Sequence, residues 1–287
     1  MLFSLSLILI IGFSLSGILN RIKIPGLIGM IFTGVLLAPH MLDLISPEIL
    51  GISADLREIA LIVILVRAGL SIDMSDLRKA GRPALLMCFV PATFEIAAVT
   101  YLAPLLLGVS YIEAAIMGCV LAAVSPAVIV PRMIHLMETG YGKKSRIPQI
   151  IMAGASVDDI YVIVLFTAFL GMYRGEGFSA STLVSVPVSI LSGVIMGAVT
   201  GIILVSIFKR IHMRDTVKVL IILSIAFMFV SIEDFLNPFF FFFVLHAVMS
   251  LGCSILRSNE ILPKILMGKI SKIWVGAEIL LFVLVGA

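Results

Sequence analysis

Residues 149–172 begin Gln149-Ile150-Ile151-Met152-Ala153-Gly154-Ala155-Ser156-Val157-Asp158-Asp159-Ile160-Tyr161 and run on, mostly apolar, to Met172. About 20 apolar residues suffice to cross a bilayer as a helix, and this run carries only two charges, side by side. Ionisable groups at membrane depth cost about 2.5–3.5 kcal/mol each on insertion scales, which marks them as functional. Asp158 and Asp159 lie about ten residues from either end, so a rise of about 1.5 Å per residue puts them near the midplane. Adjacent helical positions point about 100° apart. The two carboxylates are therefore expected to have different jobs, one facing a cation path and the other a basic partner. A structural ion pair with Arg67 accounts for one of them but not for both.

The rest of the chain has the same character. Of its 287 residues, 61% are hydrophobic and only 13% charged, with a mean hydropathy of +1.23. A soluble domain carries roughly a quarter charged residues, so an aqueous fold is excluded. Ten apolar segments can be marked, at approximately 2–20, 25–39, 59–72, 84–107, 113–134, 149–172, 182–208, 217–232, 238–256 and 273–287. The expectation is an all-α polytopic membrane protein of about ten transmembrane helices, with lipid as its surroundings. A net charge of +3 gives no reason to expect a nucleic-acid partner. Cys88, Cys119 and Cys253 lie in apolar stretches without metal-like spacing. Arg21 and Lys23 follow the first segment rather than precede it, so that segment is not read as a cleavable signal peptide.

Basic residues orient the set, because they accumulate in cytoplasmic loops. Loops after odd-numbered segments, with the segment ends that border them, hold 17 of the 20 Lys and Arg residues, whereas even-numbered loops hold Arg57 and Arg174, and Arg67 lies well within a span. This alternation predicts an outside N-terminus and cytoplasmic odd-numbered loops. The chain also resembles itself. Residues 58–69, from Glu58 to Gly69, match Glu278 to Ala287 if one residue is skipped. Segments three and ten are seven spans apart, so equivalent helices would cross in opposite senses, as in the inverted repeats of secondary transporters. The reading is one transmembrane domain over 1–287, with a first repeat at 1–172, a connecting helix at 182–208 and a partial second repeat at 217–287. The apolar run reaching Ala287 leads us to expect a fragment lacking about three helices.

Small residues before the carboxylates, Ala153, Gly154, Ala155 and Ser156, let another helix approach closely, and the Ser156 hydroxyl offers an oxygen ligand. The approaching helix is expected to be segment five, which holds Val124-Ser125-Pro126 at its middle. Proline there removes a helical hydrogen bond and suggests a broken helix whose freed carbonyls face an ion site. Such oxygens suit a hard cation or a proton. A carboxylate poised between desolvation and a nearby positive charge can exchange one for the other.

Gly154-Ala155-Ser156-Val157-Asp158-Asp159 resembles the ion-binding motif of monovalent cation:proton antiporters, the sodium/hydrogen exchanger-like family of NhaP and NapA type. Arg21-Ile22-Lys23-Ile24-Pro25-Gly26-Leu27-Ile28-Gly29 resembles that family's basic-Pro-Gly-Gly second helix, and Ala68-Gly69-Leu70 its Gly-Leu motif. The resemblance implies a transporter rather than an enzyme, exchanging Na+ or K+ for H+ by alternating access at a plasma membrane, with no cofactor beyond the transported ions. It implies a homodimer. Asp159 would be the shared ligand of cation and proton, so Na+ or K+ would sit there. Asp158, Ser156 and the backbone around Val124 and Ser125 would be ligands or helpers, and Pro126 would mark the broken helix. Glu95 lines the cation path or pairs with Arg67, which is itself a candidate charge partner. Val124-Ser125-Pro126 stands where many members have Thr-Asp-Pro, a departure that bears on cation choice and charge stoichiometry. Two other readings of paired carboxylates are an intramembrane aspartyl protease and a cation channel.

Overall fold

The hairpin that opens the chain shows how glycine placement builds this protein. Helix α1 (Leu2–Arg21) turns at Lys23, whose φ is 63°, and helix α2 (Gly26–Leu37) starts after Pro25. Asn20 Oδ1 accepts from the Gly26 N–H at 2.9 Å, which closes the turn. A Cβ on Gly29 would lie 2.9 Å from backbone atoms of Leu15 and Ser16. The basic-Pro-Gly-Gly stretch is thus a turn followed by a backbone-to-backbone helix contact.

This computed structural model describes residues 1–71, 81–124, 126–142, 146–174, 180–236, 243–258 and 262–287. Among the described residues it is all-helical. After α2 come α3 (Pro47–Gly51), α4 (Ser53–Gly69), α5 (Arg82–Leu107), α6 (Tyr111–Ala122), α7 (Pro126–Thr139), α8 (Ile147–Tyr173), α9 (Ala180–Arg210), α10 (Asp215–Leu236), α11 (Phe243–Ser258) and α12 (Leu262–Gly286). By length and composition, Leu2–Arg21, Leu86–Leu107, Leu191–Arg210 and Asp215–Glu233 are each able to cross a membrane, and Gly26–Leu37, Tyr111–Ala122 and Val244–Arg257 are shorter apolar helices.

Hydropathy placed some ends differently. The third segment was expected at 59–72, but α4 starts at Ser53; the tenth was expected at 273–287, but α12 starts at Leu262. Charged Asp55, Arg57 and Glu58, and Lys264, Lys269 and Lys272, interrupt the apolar signal without interrupting the helix. Their long or capping side chains are helix-compatible, so the helices outrun the apolar stretches.

The chain divides into two compact units. One comprises Met1–Ile64, Asp215–Leu223 and Ile265–Ala287. Its interior includes Ile8, Leu37, Ile49, Ile64, Ile279 and Val283. There α2 crosses α12 with no room for side chains: a Cβ on Gly34 would collide with the Val283 carbonyl and lie 2.9 Å from the Gly286 carbonyl carbon, and one on Gly286 would collide with the Ile31 carbonyl.

The other unit comprises Leu65–Arg214 and Ser224–Lys264. Here α9 lies against α11, where Gly197 faces the Ala247 carbonyl and Ser250 Oγ donates to the Val194 carbonyl at 2.7 Å. The end of α4 crosses α11 through Gly69, which faces the Met249 carbonyl, and Gly252, whose added Cβ would lie 2.7 Å from the Gly69 carbonyl carbon. Helices α5, α6, α7 and α8 form the remaining bundle.

Candidate functional site

The fifth apolar segment, expected at 113–134, is two helices. Helix α6 ends at Ala122, Ala123 is extended at φ −66° and ψ 120°, Val124 is non-helical and half-buried, and Pro126 opens α7. Proline explains the break. It has no N–H to return to the Ala122 carbonyl, it pushes the residue before it out of helical conformation, and it is well suited to a first helical position. Ser125 lies outside the described residues. The break leaves the last carbonyls of α6 and the first N–H groups of α7 without intrahelical partners, two polar ends at one level.

Beside it runs α8, an unbroken helix of 27 residues that carries positions 156, 158 and 159 close to its centre. The side chains of Pro126, Ser156, Asp158 and Asp159 lie outside the described residues. Their helix packs along α5, α6 and α7, so the broken helix and the carboxylate-bearing helix are neighbours. Ala122, the last residue before the break, belongs to a buried cluster with Ala92, Ile96, Cys119 and Val162, against which Tyr161 and Phe169 pack.

The close approach at Gly154 was expected from segment five. It comes from α5 instead, since a Cβ on Gly154 would lie 2.8 Å from Met87 Cγ and 3.3 Å from the Met87 carbonyl oxygen. Seven residues on, Tyr161 renews the contact with α5. Its ring meets Phe89 edge-on with centroids 5.4 Å apart, and its hydroxyl lies 2.9 Å from Thr93 Oγ1. Thr93 Oγ1 in turn donates to the Phe89 carbonyl at 2.7 Å, which leaves Tyr161 as the donor to Thr93. An open, mainly apolar groove of about 420 Å³ lies beside this pair, lined among others by Ile96, Tyr101, Tyr111, Leu165 and Phe169.

At the far end of the same bundle, Ser110 and Glu113 form a capping box at the start of α6, and Tyr173 donates to Glu113 Oε1 at 3.4 Å from the end of α8. Arg67 is half-buried on α4, and its carbonyl accepts from Ser71 Oγ at 2.7 Å. Glu95 is exposed on α5, and among the described residues it makes no ion pair with Arg67. Sequence reasoning missed Thr93, Tyr161 and the Met87 carbonyl. The available signals were Tyr161 at three residues from Asp158 and a proline, Pro91, at four residues from Met87 and two from Thr93.

Comparison with known proteins bears on this arrangement. The transmembrane family described as sodium/hydrogen exchanger matches residues 5–287. Sodium/hydrogen exchanger 9B2 of Xenopus tropicalis is 35% identical over 192 residues, covering 64% of this chain and 35% of that protein. The human 9B2 protein is 36% identical over 180 residues, covering 62% and 33%. The chain thus spans about a third of the length of these relatives. The structure of the sodium proton antiporter MjNhaP1 from Methanocaldococcus jannaschii at pH 8 superposes with a TM-score of 0.76 at 20% identity, covering 99% of this chain and 69% of that one. At that identity the likeness establishes the fold.

Proposed function

The chain belongs to the sodium/hydrogen exchanger transmembrane family, and from that premise we propose that it exchanges a monovalent cation, Na+ or K+, for H+ by alternating access, for pH and cation homeostasis. The observation that carries this reading is a helix broken between Ala122 and Pro126, packed beside a continuous helix with two mid-helix aspartates. Carbonyl ends of α6 supply neutral oxygens and the α8 carboxylates supply charge, a donor set for a hard, weakly held cation. Asp159 is the ligand shared by cation and proton. Asp158, set about 100° away, tunes the charge of the cycle, with Ser156, Val124 and Ser125 contributing oxygens. If the loaded element crosses only when neutralised by one ion or the other, exchange becomes obligatory.

Two glycine crossings of the same design support the inverted-repeat reading, in which 1–172 and 217–287 are related and 182–208 connects them. The alternation of basic loops supports an outside N-terminus in a plasma membrane, and the family likeness supports a homodimer in lipid. A protease or a channel has no support from these findings. Adjacent positions on one helix do not converge on one water, and the matching proteins are exchangers.

The test is reconstitution of the complete gene product in liposomes that carry an internal pH dye. We expect Asp159→Asn to abolish cation-driven proton movement at an unchanged inserted amount. Exchange at the wild-type rate in that variant would overturn the assignment.

A further inference from the structure

We propose that the seam where α5 meets α8, built from the Met87 carbonyl, Thr93 Oγ1 and Tyr161 Oη, is a positioning element that sets how tightly the transported cation is held. The inference rests on the exchange reading above and adds residues to it. Its first component is a freed oxygen. Pro91 has no N–H, so the Met87 carbonyl lacks the donor that a regular helix supplies four residues later. That oxygen is turned towards α8, 3.3 Å from where a Gly154 Cβ would stand. Within a membrane an unsatisfied carbonyl costs several kcal/mol and is tolerated where it lines protein or water.

The second component is the directed hydroxyl chain, from Tyr161 to Thr93 at 2.9 Å and from Thr93 to the Phe89 carbonyl at 2.7 Å. It fixes the Tyr161 rotamer and ties α8 to α5. Helical register joins the two components. Positions 154, 158 and 161 are spaced four and three residues apart and share one strip of α8, whereas position 159 is turned about 100° away. The seam therefore brackets position 158 from both sides.

Loss of the seam should then loosen the setting of position 158, changing apparent affinity and the pH profile rather than the maximum rate. In the reconstituted complete gene product we expect Tyr161→Phe, which keeps the ring contact with Phe89, and the near-isosteric Thr93→Val each to raise the cation KM about five- to tenfold. The activity–pH profile should shift in both, while maximum rate and inserted amount stay near wild type, and Thr93→Ser should restore the wild-type KM. In an Asp158→Asn background, adding Tyr161→Phe should change KM less than twofold, since coupled residues are not additive. An unchanged KM in both seam variants, a multiplicative effect in the double variant, or a loss of maximum rate at constant KM would each overturn the seam. The two readings fail separately. Active Asp159→Asn sinks the exchange site, whereas an inactive Asp159→Asn alongside seam variants of wild-type KM sinks only the seam.

Discussion

Helix α2 meets α12 through Gly34 and Gly286, and α11 meets α4 through Gly252 and Gly69, in the same register. In each pair one glycine sits over the other's carbonyl carbon. The second sits on the carbonyl of the residue three before the first, Ile31 in one case and Met249 in the other. What differs is the company. Arg67 stands two residues before Gly69 and Ser71 two after, while Leu284 and Val285 precede Gly286. Backbone contact demands a missing side chain wherever it occurs, so the packing device appears twice. Charge at membrane depth is costly, and directly beside the crossing it appears only at Arg67, next to Gly69. The glycine crossings and the sequence match give two different registers. Glu58 lies eleven residues before Gly69, but Glu278 lies eight before Gly286, so the glycine match is offset by nearly one turn from the glutamate match.

The severest test of the comparison is to fill both crossings. Gly69→Leu and Gly286→Leu each drive a side chain into a backbone carbonyl, and we expect neither variant to yield a monodisperse peak in size-exclusion chromatography. A well-behaved protein from one of them alone would break the equivalence. Next in size is the charge asymmetry. Leu284 is buried at the position matching Arg67, so Leu284→Arg should cost about 2.5–3.5 kcal/mol on insertion scales, read as a marked fall in thermal stability in detergent. Milder still, Gly252→Ala should lower stability by about 1–3 kcal/mol as overpacking, and Gly34→Ala by more, since its added Cβ collides with the Val283 carbonyl. As a control, a Cβ on Gly276 would meet nothing within 4 Å, and Gly276→Ala should leave stability equal or raise it by about 0.5–1 kcal/mol, read as an equal or slightly higher Tm.

Much of this was legible before any coordinates. Proline at position 126 announced the helix break, because a residue without an N–H cannot sit inside a helix without cost wherever it occurs. The two aspartates mark the proposed site, because nothing structural requires adjacent charges inside an apolar run. The glycines of residues 26–34 carried only a family resemblance, and the structure shows their contacts: Gly29 serves α1 and Gly34 serves α12. Gly154 signalled a close approach, and its nearest neighbour is Met87 of α5, far away in sequence, although α6 and α7 of segment five also pack along α8. Thr93 passed unnoticed for the same reason. A threonine in a membrane helix is unremarked until a tyrosine 68 residues on is found within hydrogen-bond distance.

Sequence alone determined the solvent, the helical class, the break at Pro126 and the two carboxylates, all of which follow from local composition and backbone chemistry. Tertiary structure decided which glycine meets which carbonyl, that α5 rather than α6 or α7 closes on Gly154, and that Tyr161 and Thr93 pair beside position 158. A helix fixes its residues' order around one axis and leaves open which neighbour each face will meet. That choice is made by packing among faces that are, in hydrophobicity, nearly alike.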